Sequence, residues 1–337
     1  MATIRDVAKL AGVSVATVSR VLNGTAKVSD EARRAVLSAQ EALDFHLNAN
    51  ARALAQQESQ TVGVLVSSVD DPYFANMIKA CDEAAWEHGK MVLVTQGYYD
   101  AQREQMALNA MISRQCAGLV VHAIALPDDA MARYMAQFPC MVLVNRLIQG
   151  FEERCVNIDN VGGMELAVNE LIANGRRSIA YVNSSMRILD ADYRCQGYLR
   201  ALRRAGIDAD PALAVKVPPT LEGGAEAARI LMGRRKPIDG IACYNDALAA
   251  GVMNTLMTND VDVPGQVSIT GFDDLPLARV IHPALTTVTN PSDEIGKCAT
   301  ELTLAIHDGR PYRLPPFETR LIRRGSVVPR AKVSMPR

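Results

Sequence analysis

Short polar clusters follow several apolar, β-branched runs of the chain, and their side chains could bind a ligand rich in hydroxyl groups. The clusters are Asp70 and Asp71, Asn145 and Arg146, Asn183, Asn245 and Asp246, and Asp273 and Asp274. Carboxylates could also move protons, but neither a nucleophile nor a metal-ligating cluster accompanies them in the sequence. Sugar hydroxyls fit these groups better, because a buried hydroxyl needs a partner and an unpaired one costs about 1–3 kcal/mol.

Known enzyme signatures are missing from the sequence, which has no Gly-rich phosphate loop, HExxH, GxSxG or dinucleotide-binding fingerprint. The five histidines lack the spacing of metal ligands, and we interpret them as surface or incidental core residues. The sequence therefore predicts a binding protein without cofactor or metal, rather than an enzyme.

From Thr61 onward, short apolar runs such as "TVGVLVSS" and "CMVLVNR" alternate with amphipathic helical patterns such as "PYFANMIKACDEAAWEHG". This alternation predicts parallel sheets with helices on both faces. The runs are too numerous for one small sheet, so we expect two similar α/β halves. Ligands of open α/β sheets bind beyond the carboxyl ends of the strands, which is where the polar clusters fall.

The first 45 residues predict three short helices, with Thr3, Ser14 and Ser29 as N-caps. Gly12 separates the first two helices, which gives a helix-turn-helix, and the third completes a small core. The inner face of the second helix is expected to consist of Val15, Val18, Val21 and Leu22.

Charge and composition separate this head from the rest of the chain. Up to residue 28 there are four basic residues and one acidic residue, whereas the whole chain has a net charge of -1. Residues 46–60 are polar and alanine-rich, which indicates a linker with latent helical propensity from Asn48 to Gln56.

The cysteine pattern and the hydropathy predict where the protein works. The seven cysteines are scattered and never form CxxC, so we expect buried, reduced thiols. No secretory signal opens the chain, and no apolar run reaches the roughly 20 residues that cross a membrane. We therefore expect a cytoplasmic, nucleoid-associated protein without a membrane partner.

The stretch "ATIRDVAKLAGVSVATVSRVLN" resembles the DNA-binding head of the lactose-repressor family, and the resemblance continues in order along the chain. The later segments "NANARALA", "YND", "GFDD", "PALTTV" and "RLIRRGSV" also resemble signatures of that family. Within the family, "GVSVATVSRV", "NANARALAQQ" and "MVLVNR" are most similar to the galactose branch.

This resemblance implies an all-α helix-turn-helix head and an α/β core of two doubly wound parallel-sheet subdomains, similar to periplasmic binding proteins. The implied division is a head (1–45), a hinge (46–60), an N-subdomain (61–160, with 289–318 returning), a C-subdomain (161–288, with 319–330 returning) and a tail (331–337). The implied partners are pseudo-palindromic operator DNA, a small sugar effector and a second copy of the chain.

The resemblance also implies which residues contact DNA. Val15, Ala16 and Arg20 would face base edges, with small side chains on thymine methyls and the arginine on guanine. Leu54 would insert into the minor groove, or pack against its dimer mate, or do both. Val15 and Ala16 could instead be core residues. The full implied set is Thr3, Ser14, Val15, Ala16, Thr17, Ser19, Arg20, Asn23, Asn50 and Leu54.

For the effector site, the resemblance implies the set Asp71, Phe74, Asn145, Arg146, Arg194, Asn245 and Asp273. Alternatives remain for three of them. Asp273, like Asp274, could cap a helix, Arg146 could form a structural ion pair between strands, and Phe74 could be an ordinary core residue.

Departures from the family pattern restrict the prediction. The purine-binding branch of the family has a second aromatic side chain that stacks on its ligand, at a position near Leu221. This chain has no aromatic residue in that loop, which argues against a purine ligand. The tail lacks the leucine heptads that would build tetramers. The segment before the hinge reads "FHLN" without the usual proline, and "SSMRILDADYRCQGY" diverges from the galactose branch. A different sugar, a co-repressing ligand or a sugar-binding protein without a regulatory role therefore stay open as alternatives.

Overall fold

The computed structural model describes residues 2–23, 28–45, 59–186, 188–234 and 236–330. The chain divides into two compact units, Met1–Gln60 and Thr61–Arg337. Asn50, Leu54 and the helix expected from Asn48 to Gln56 lie outside the described residues.

The first unit contains the three predicted helices. They are α1 (Ile4–Ala11), α2 (Val15–Asn23) and α3 (Asp30–Ala42). Thr3 and Asp6 form a capping box at the start of α1, in which the backbone N–H of Thr3 donates to Asp6 Oδ2 at 2.8 Å. Gly12 ends α1 at φ 65° in the left-handed region, which glycine adopts without strain.

A small apolar core holds the three helices together. Its buried members are Val7, Ala8, Val18, Val36 and Ala39, and Val21 and Leu22 pack against them. Val15 is 42% exposed, so its assignment to the inner face of α2 was wrong. It stands in the first turn of α2, one helical turn before Val18, where α1 and α3 leave it uncovered.

The second unit contains two parallel sheets, which define two subdomains. The first subdomain has the strand order β2-β1-β3-β4-β5 and the second has β7-β6-β8-β9. A third, antiparallel pair joins β10 to β11. The strands are β1 (Thr61–Val66), β2 (Met91–Gln96), β3 (Gly118–Val121), β4 (Met141–Val144), β5 (Cys155–Val156), β6 (Ile179–Ser184), β7 (Ala214–Val217), β8 (Gly240–Cys243), β9 (Ser268–Thr270), β10 (Thr287–Val288) and β11 (Leu321–Ile322).

Helices connect the strands. They are α4 (Pro72–Glu87), α5 (Ala101–Ser113), α6 (Asp128–Gln137), α7 (Asn160–Ala173), α8 (Leu189–Arg204), α9 (Leu221–Gly233), α10 (Asp246–Thr258), α11 (Pro276–Val280) and α12 (Ser292–His307). Two short 3₁₀ turns lie at Glu152–Arg154 and Pro211–Leu213. In the part of the chain that the structure describes, none of the helices has the length and apolar character needed to cross a bilayer.

Alternating side chains bury both faces of the first sheet. Val64 and Val66 belong to one apolar cluster and Leu65 to another, since successive side chains of a strand point to opposite faces. After β10 the chain returns to the first subdomain, where α12 packs on β3, β4 and α4. The segment 289–291, which we call the crossover, is therefore a covalent link between the two subdomains.

Candidate effector cavity and DNA-binding helix

A polar cavity of about 50 Å³ lies between the two subdomains, beyond the carboxyl ends of their strands. Six of the seven effector residues expected from the sequence line it: Asp71, Phe74, Asn145, Arg194, Asn245 and Asp273. Six further polar or aromatic side chains that the sequence reasoning did not select also line it: Tyr73, Tyr99, His122, Asp190, Tyr244 and Asn290.

Arg194, on α8, is fixed at the back of this cavity. Its Nε donates to Asn160 Oδ1 at 2.9 Å, its Nη1 donates to the carbonyl of Tyr244 at 2.7 Å, and its Nη2 lies 3.4 Å from Asp273 Oδ1. The guanidinium carbon also lies 3.7 Å from the ring centroid of Phe272. Burial acts to lower the pKa of Arg194, but Asp273, Tyr244, Asp190 and Tyr181 together outweigh it and the net shift is upward.

Asp273 has an unusual backbone and an unusual acidity. Its φ is 108°, in the left-handed half of the Ramachandran plot, which a non-glycine residue rarely adopts. Burial raises its pKa from the ordinary 3.8 to about 6, although Arg194 and Asn290 act in the opposite direction. The following helix α11 has no side-chain cap, so neither Asp273 nor Asp274 serves as the helix cap considered above.

Two of the expected residues also begin helices at the cavity. The carboxylate of Asp71 accepts from the backbone N–H of Tyr73 at 2.9 Å at the start of α4. Asn245 Oδ1 accepts from the backbone N–H of Leu248 at 2.9 Å at the start of α10. Burial raises the pKa of Asp71. These bonds orient both side chains before any ligand arrives.

Asn145 lines the cavity and has an unpaired hydrogen-bond acceptor. It sits directly after β4 with φ 57°, and its Nδ2 donates to the hydroxyl of Tyr73 at 2.9 Å. Its Oδ1 is buried and has no hydrogen-bond partner among the described residues. A buried acceptor in this condition is costly, so it would favour a ligand that donates a hydrogen bond.

Phe74 and His122 form an aromatic wall of the cavity. Their ring centroids are 4.6 Å apart, and His122 Nδ1 lies 2.8 Å from Ser67 Oγ. Burial lowers the pKa of His122 to about 4, so the imidazole is neutral near pH 7. The sequence reasoning treated this histidine as incidental, and the structure places it at the cavity.

Arg146 is the expected effector residue that lies outside the small cavity. It lines a neighbouring cavity of about 640 Å³ that shares Asn145 and Ile124 with it. Its guanidinium donates to Asp128 Oδ1 at 2.5 Å and to the carbonyls of Ala123 and Leu126 at 2.7 and 2.6 Å. Arg146 therefore forms a structural ion pair, but its partner Asp128 begins helix α6, so the pair does not join two strands as expected.

Glu104 holds the other side of the same loop. This fully buried carboxylate accepts from the backbone N–H groups of Ile124, Ala125 and Leu126 at 2.8–3.0 Å. The loop that supplies Ile124 to the cavity is therefore fixed by a carboxylate on one side and by a guanidinium, that of Arg146, on the other.

The candidate DNA-binding surface is the exposed side of α2. Ser14 Oγ accepts from the backbone N–H of Thr17 at 3.1 Å and so begins the helix. Ser14, Val15, Ala16 and Arg20 are exposed, whereas Val18 is fully buried. Thr3 is exposed, Thr17 and Ser19 are half-buried, and Asn23 is the last residue of α2. The side chain of Asn23 lies outside the described part of the structure.

In the described part of the chain, the thiols and carboxylates do not form a metal centre. All seven cysteines are free, and Cys81, Cys116, Cys155 and Cys243 are buried. Within the described ranges, no group of three or more His, Cys, Asp or Glu side chains could hold a metal ion.

A helix-turn-helix unit and a two-subdomain α/β core around a polar cavity define the class of ligand-controlled DNA-binding regulators. Residues 3–48 match the family model of bacterial regulatory proteins of the lacI family. Residues 59–313 match that of the periplasmic binding proteins and sugar binding domain of the LacI family. The chain belongs to the LacI family.

Relatives of known class agree with this assignment. The chain is 47% identical over 331 residues to the HTH-type transcriptional regulator GalR of Escherichia coli, covering 97% of this chain and 96% of the relative. It is 44% identical over 304 residues to the HTH-type transcriptional regulator GalS of Salmonella typhimurium, covering 90% and 89%. The protein is a DNA-binding transcriptional regulator and not an enzyme, as the sequence predicted.

A solved structure extends the likeness to the fold. The lac repressor dimer bound to operator and the anti-inducer ONPF matches with a TM-score of 0.86, covering 97% of this chain and 99% of that chain. At 24% identity this match shows the shared fold alone, and it agrees with the predicted architecture of a helical head and two parallel-sheet subdomains.

Proposed function

We propose that the protein is a homodimeric repressor of genes for the uptake or breakdown of galactose or galactosides, released from operator DNA by the sugar. The observation that carries this proposal is the polar cavity, where side chains of both subdomains meet. The 47% identity to GalR supports the choice of galactose. The protein then works in the cytoplasm, at the nucleoid.

In this proposal the cavity pairs each sugar hydroxyl with a protein group. Asp71, Asn145 and Asp273 accept hydrogen bonds from hydroxyls, and Arg194 donates to hydroxyl oxygens. Asn245 adds an amide, and the ring of Phe74 packs on the apolar face of the pyranose. Arg146 acts indirectly, because its contacts hold the loop that carries Ile124.

The exposed side of α2 reads the operator in this proposal. Val15 and Ala16 contact thymine methyl groups, and Arg20 binds a guanine with two hydrogen bonds. Backbone contacts come from Thr3, Ser14, Thr17, Ser19, Asn23 and Asn50. Leu54 unstacks a base step from the minor groove. The exposure of Val15, Ala16 and Arg20 supports this division of labour.

Control of DNA binding requires that the sugar bind two conformations with different affinities. We infer that the sugar stabilises one relative arrangement of the subdomains, and that this arrangement in both copies disfavours paired hinge segments. A coupling free energy of about 1–3 kcal/mol between sugar and operator would suffice for a switch.

A paired titration tests the proposal. Calorimetry with the full chain measures binding of galactose, its deoxy and glycosidic derivatives, and glucose as the epimeric control. Gel-shift titration then measures operator affinity with and without the sugar that binds best. Galactose should weaken operator binding by about 5- to 150-fold. Tighter operator binding would make the sugar a co-repressor, and an operator affinity that no sugar changes would refute control by sugar.

A further inference from the structure

Asn290, on the crossover, is one of the cavity residues to which the proposed site gives no role. It is 6% exposed, and its Nδ2 donates to Asp273 Oδ1 at 3.0 Å. Its Oδ1 is buried and has no hydrogen-bond partner among the described residues. The crossover therefore contributes to the lining of the cavity a residue whose amide oxygen is buried and unpaired.

The orientation of this amide is determined by its neighbour. An ionised carboxylate only accepts hydrogen bonds, so the amide nitrogen of Asn290 must face Asp273 and the amide oxygen must take the other position. Asn145 repeats the pattern from the first subdomain, with its nitrogen on Tyr73 and its oxygen unpaired. Two residues that line one cavity thus have unpaired amide oxygens, and a ligand with several hydroxyl donors could satisfy both once it is bound.

We propose that Asn290 binds the effector and positions Asp273 at the same time. Its Oδ1 accepts a hydrogen bond from one sugar hydroxyl, and its Nδ2 keeps the carboxylate of Asp273 turned toward the sugar. This inference rests on the proposed function and adds to it a specificity-determining contact on the crossover.

The backbone around Asn290 connects this contact to both subdomains. The backbone N–H of Asp273 donates to the carbonyl of Val288 at 2.7 Å, and that of Ser292 donates to the carbonyl of Asn290 at 2.7 Å. Ser292 begins α12, which packs on the first subdomain. A hydroxyl bound by Asn290 therefore contacts the segment that joins the two subdomains.

The first readout is a comparison of deoxy sugars in Asn290→Ala and the control Asn157→Ala. Asn157 donates to the carbonyl of Arg146 at 3.3 Å and does not line the cavity. Asn290→Ala should bind galactose about tenfold more weakly. One monodeoxygalactose should bind the wild type about tenfold more weakly than galactose, yet bind Asn290→Ala as well as galactose does. Asn157→Ala should behave as the wild type.

The second readout is the pH dependence of sugar binding, which a purely structural role would not move. Asn290 lowers the pKa of Asp273, which burial raises to about 6, so the variant's midpoint should move to higher pH. Other charged or titratable groups near Asp273 shift its pKa or have their own pKa shifted by it. They are Asp71, Tyr73, Asp190, Arg194, Tyr244 and Asp246. None of them is altered in the variant.

The outcomes separate this inference from the proposed function. If the wild type binds galactose and Asn290→Ala binds it with the same affinity, the contact is refuted but the proposed function is not. A loss that is equal for all sugars, with an unmoved pH midpoint, also refutes it, since it indicates packing only. A wild type that binds none of the sugars refutes the proposed function and the contact together. Asn290→Ser serves as the second variant if Asn290→Ala does not fold.

Discussion

Arg194 and Asp273 form a buried ion pair at the back of the cavity, with Nη2 and Oδ1 3.4 Å apart and 3% and 9% of the two side chains exposed. The distance is long for a salt-bridge hydrogen bond, and Arg194 has two shorter contacts, to Asn160 and Tyr244. The neutral groups of Asn160 and Tyr244 thus hold the guanidinium of Arg194 in place. The carboxylate of Asp273 stays partly available for a ligand.

Arg194→Met should destabilise the core strongly, because it leaves the Asp273 carboxylate buried without its counter-charge. We expect a loss of about 3–5 kcal/mol in the free energy of unfolding, measured by urea denaturation at pH 8. The control Arg200→Met breaks an ion pair of an arginine that is 51% exposed, and it should cost less than about 1 kcal/mol. Equal losses would contradict the prediction.

Sugar affinity should rise with pH through the pKa of Asp273. Burial raises this pKa to about 6, and the ionised carboxylate is the form that accepts hydrogen bonds from hydroxyls. Below about pH 6 the folded protein therefore holds a proton on Asp273, and binding to the ionised form requires that this proton be released. Galactose should therefore bind about tenfold more weakly at pH 5 than at pH 8, as measured by calorimetry. In Asp273→Asn this step should vanish, whereas a flat wild-type profile would argue against the carboxylate as acceptor.

Glu104→Gln should loosen the loop that carries Ile124. The carboxylate accepts backbone N–H groups with both oxygens, whereas the amide nitrogen of glutamine would face a donor. We expect a loss of about 1–3 kcal/mol in unfolding free energy and a weaker sugar affinity. The matched control is Glu83→Gln, whose side chain is 65% exposed beside Lys79. No difference between the two variants would show that the buried bonds contribute little.

Arg20→Ala should relax base choice at one operator position. A two-bond contact between arginine and guanine contributes about 1–3 kcal/mol of discrimination, which competition gel shifts on single-base operator variants can measure. Arg33, exposed on α3, provides the control Arg33→Ala, for which base preference should stay unchanged. Equal weakening on all DNA sequences, with a shallower salt dependence, would instead make Arg20 a phosphate contact.

Val15 and Val18 give a matched pair on one helix. Val18 is fully buried and Val15 is 42% exposed, so Val18→Ala should destabilise the head by about 1–3 kcal/mol. Val15→Ala should leave its stability unchanged and alter preference at a thymine position. Amide hydrogen exchange of residues 4–23 measures the first effect and operator competition the second. The reverse result would place Val15 in the core.

Much of the site follows from the sequence because strand ends are easy to read. Asp71, Asn145, Asn245 and Asp273 each come shortly after a β-branched run, and parallel strands bring such positions to one edge. Arg146 also follows a strand, but a long side chain can reach several partners, and the loop carbonyls that it contacts cannot be read from periodicity.

Other features left too weak a signal. Strands β5, β10 and β11 have two residues each, and β7 alternates exposed and buried residues as a sheet edge does. Asn290 follows β10, so no apolar run marked it. His122 lies directly after β3, yet a lone histidine in an apolar stretch does not reveal whether it faces a core or a cavity. Val15 fits a helical stripe, and only the packing of α1 and α3 shows that it is uncovered.

The small size of the cavity has a consequence for timing. About 50 Å³ is far below the roughly 300–1,000 Å³ of pockets that enclose small-molecule ligands, so the cavity in this conformation is too small for a pyranose ring. The two subdomains must therefore move apart for a sugar to bind, and this opening comes before both its entry and its release.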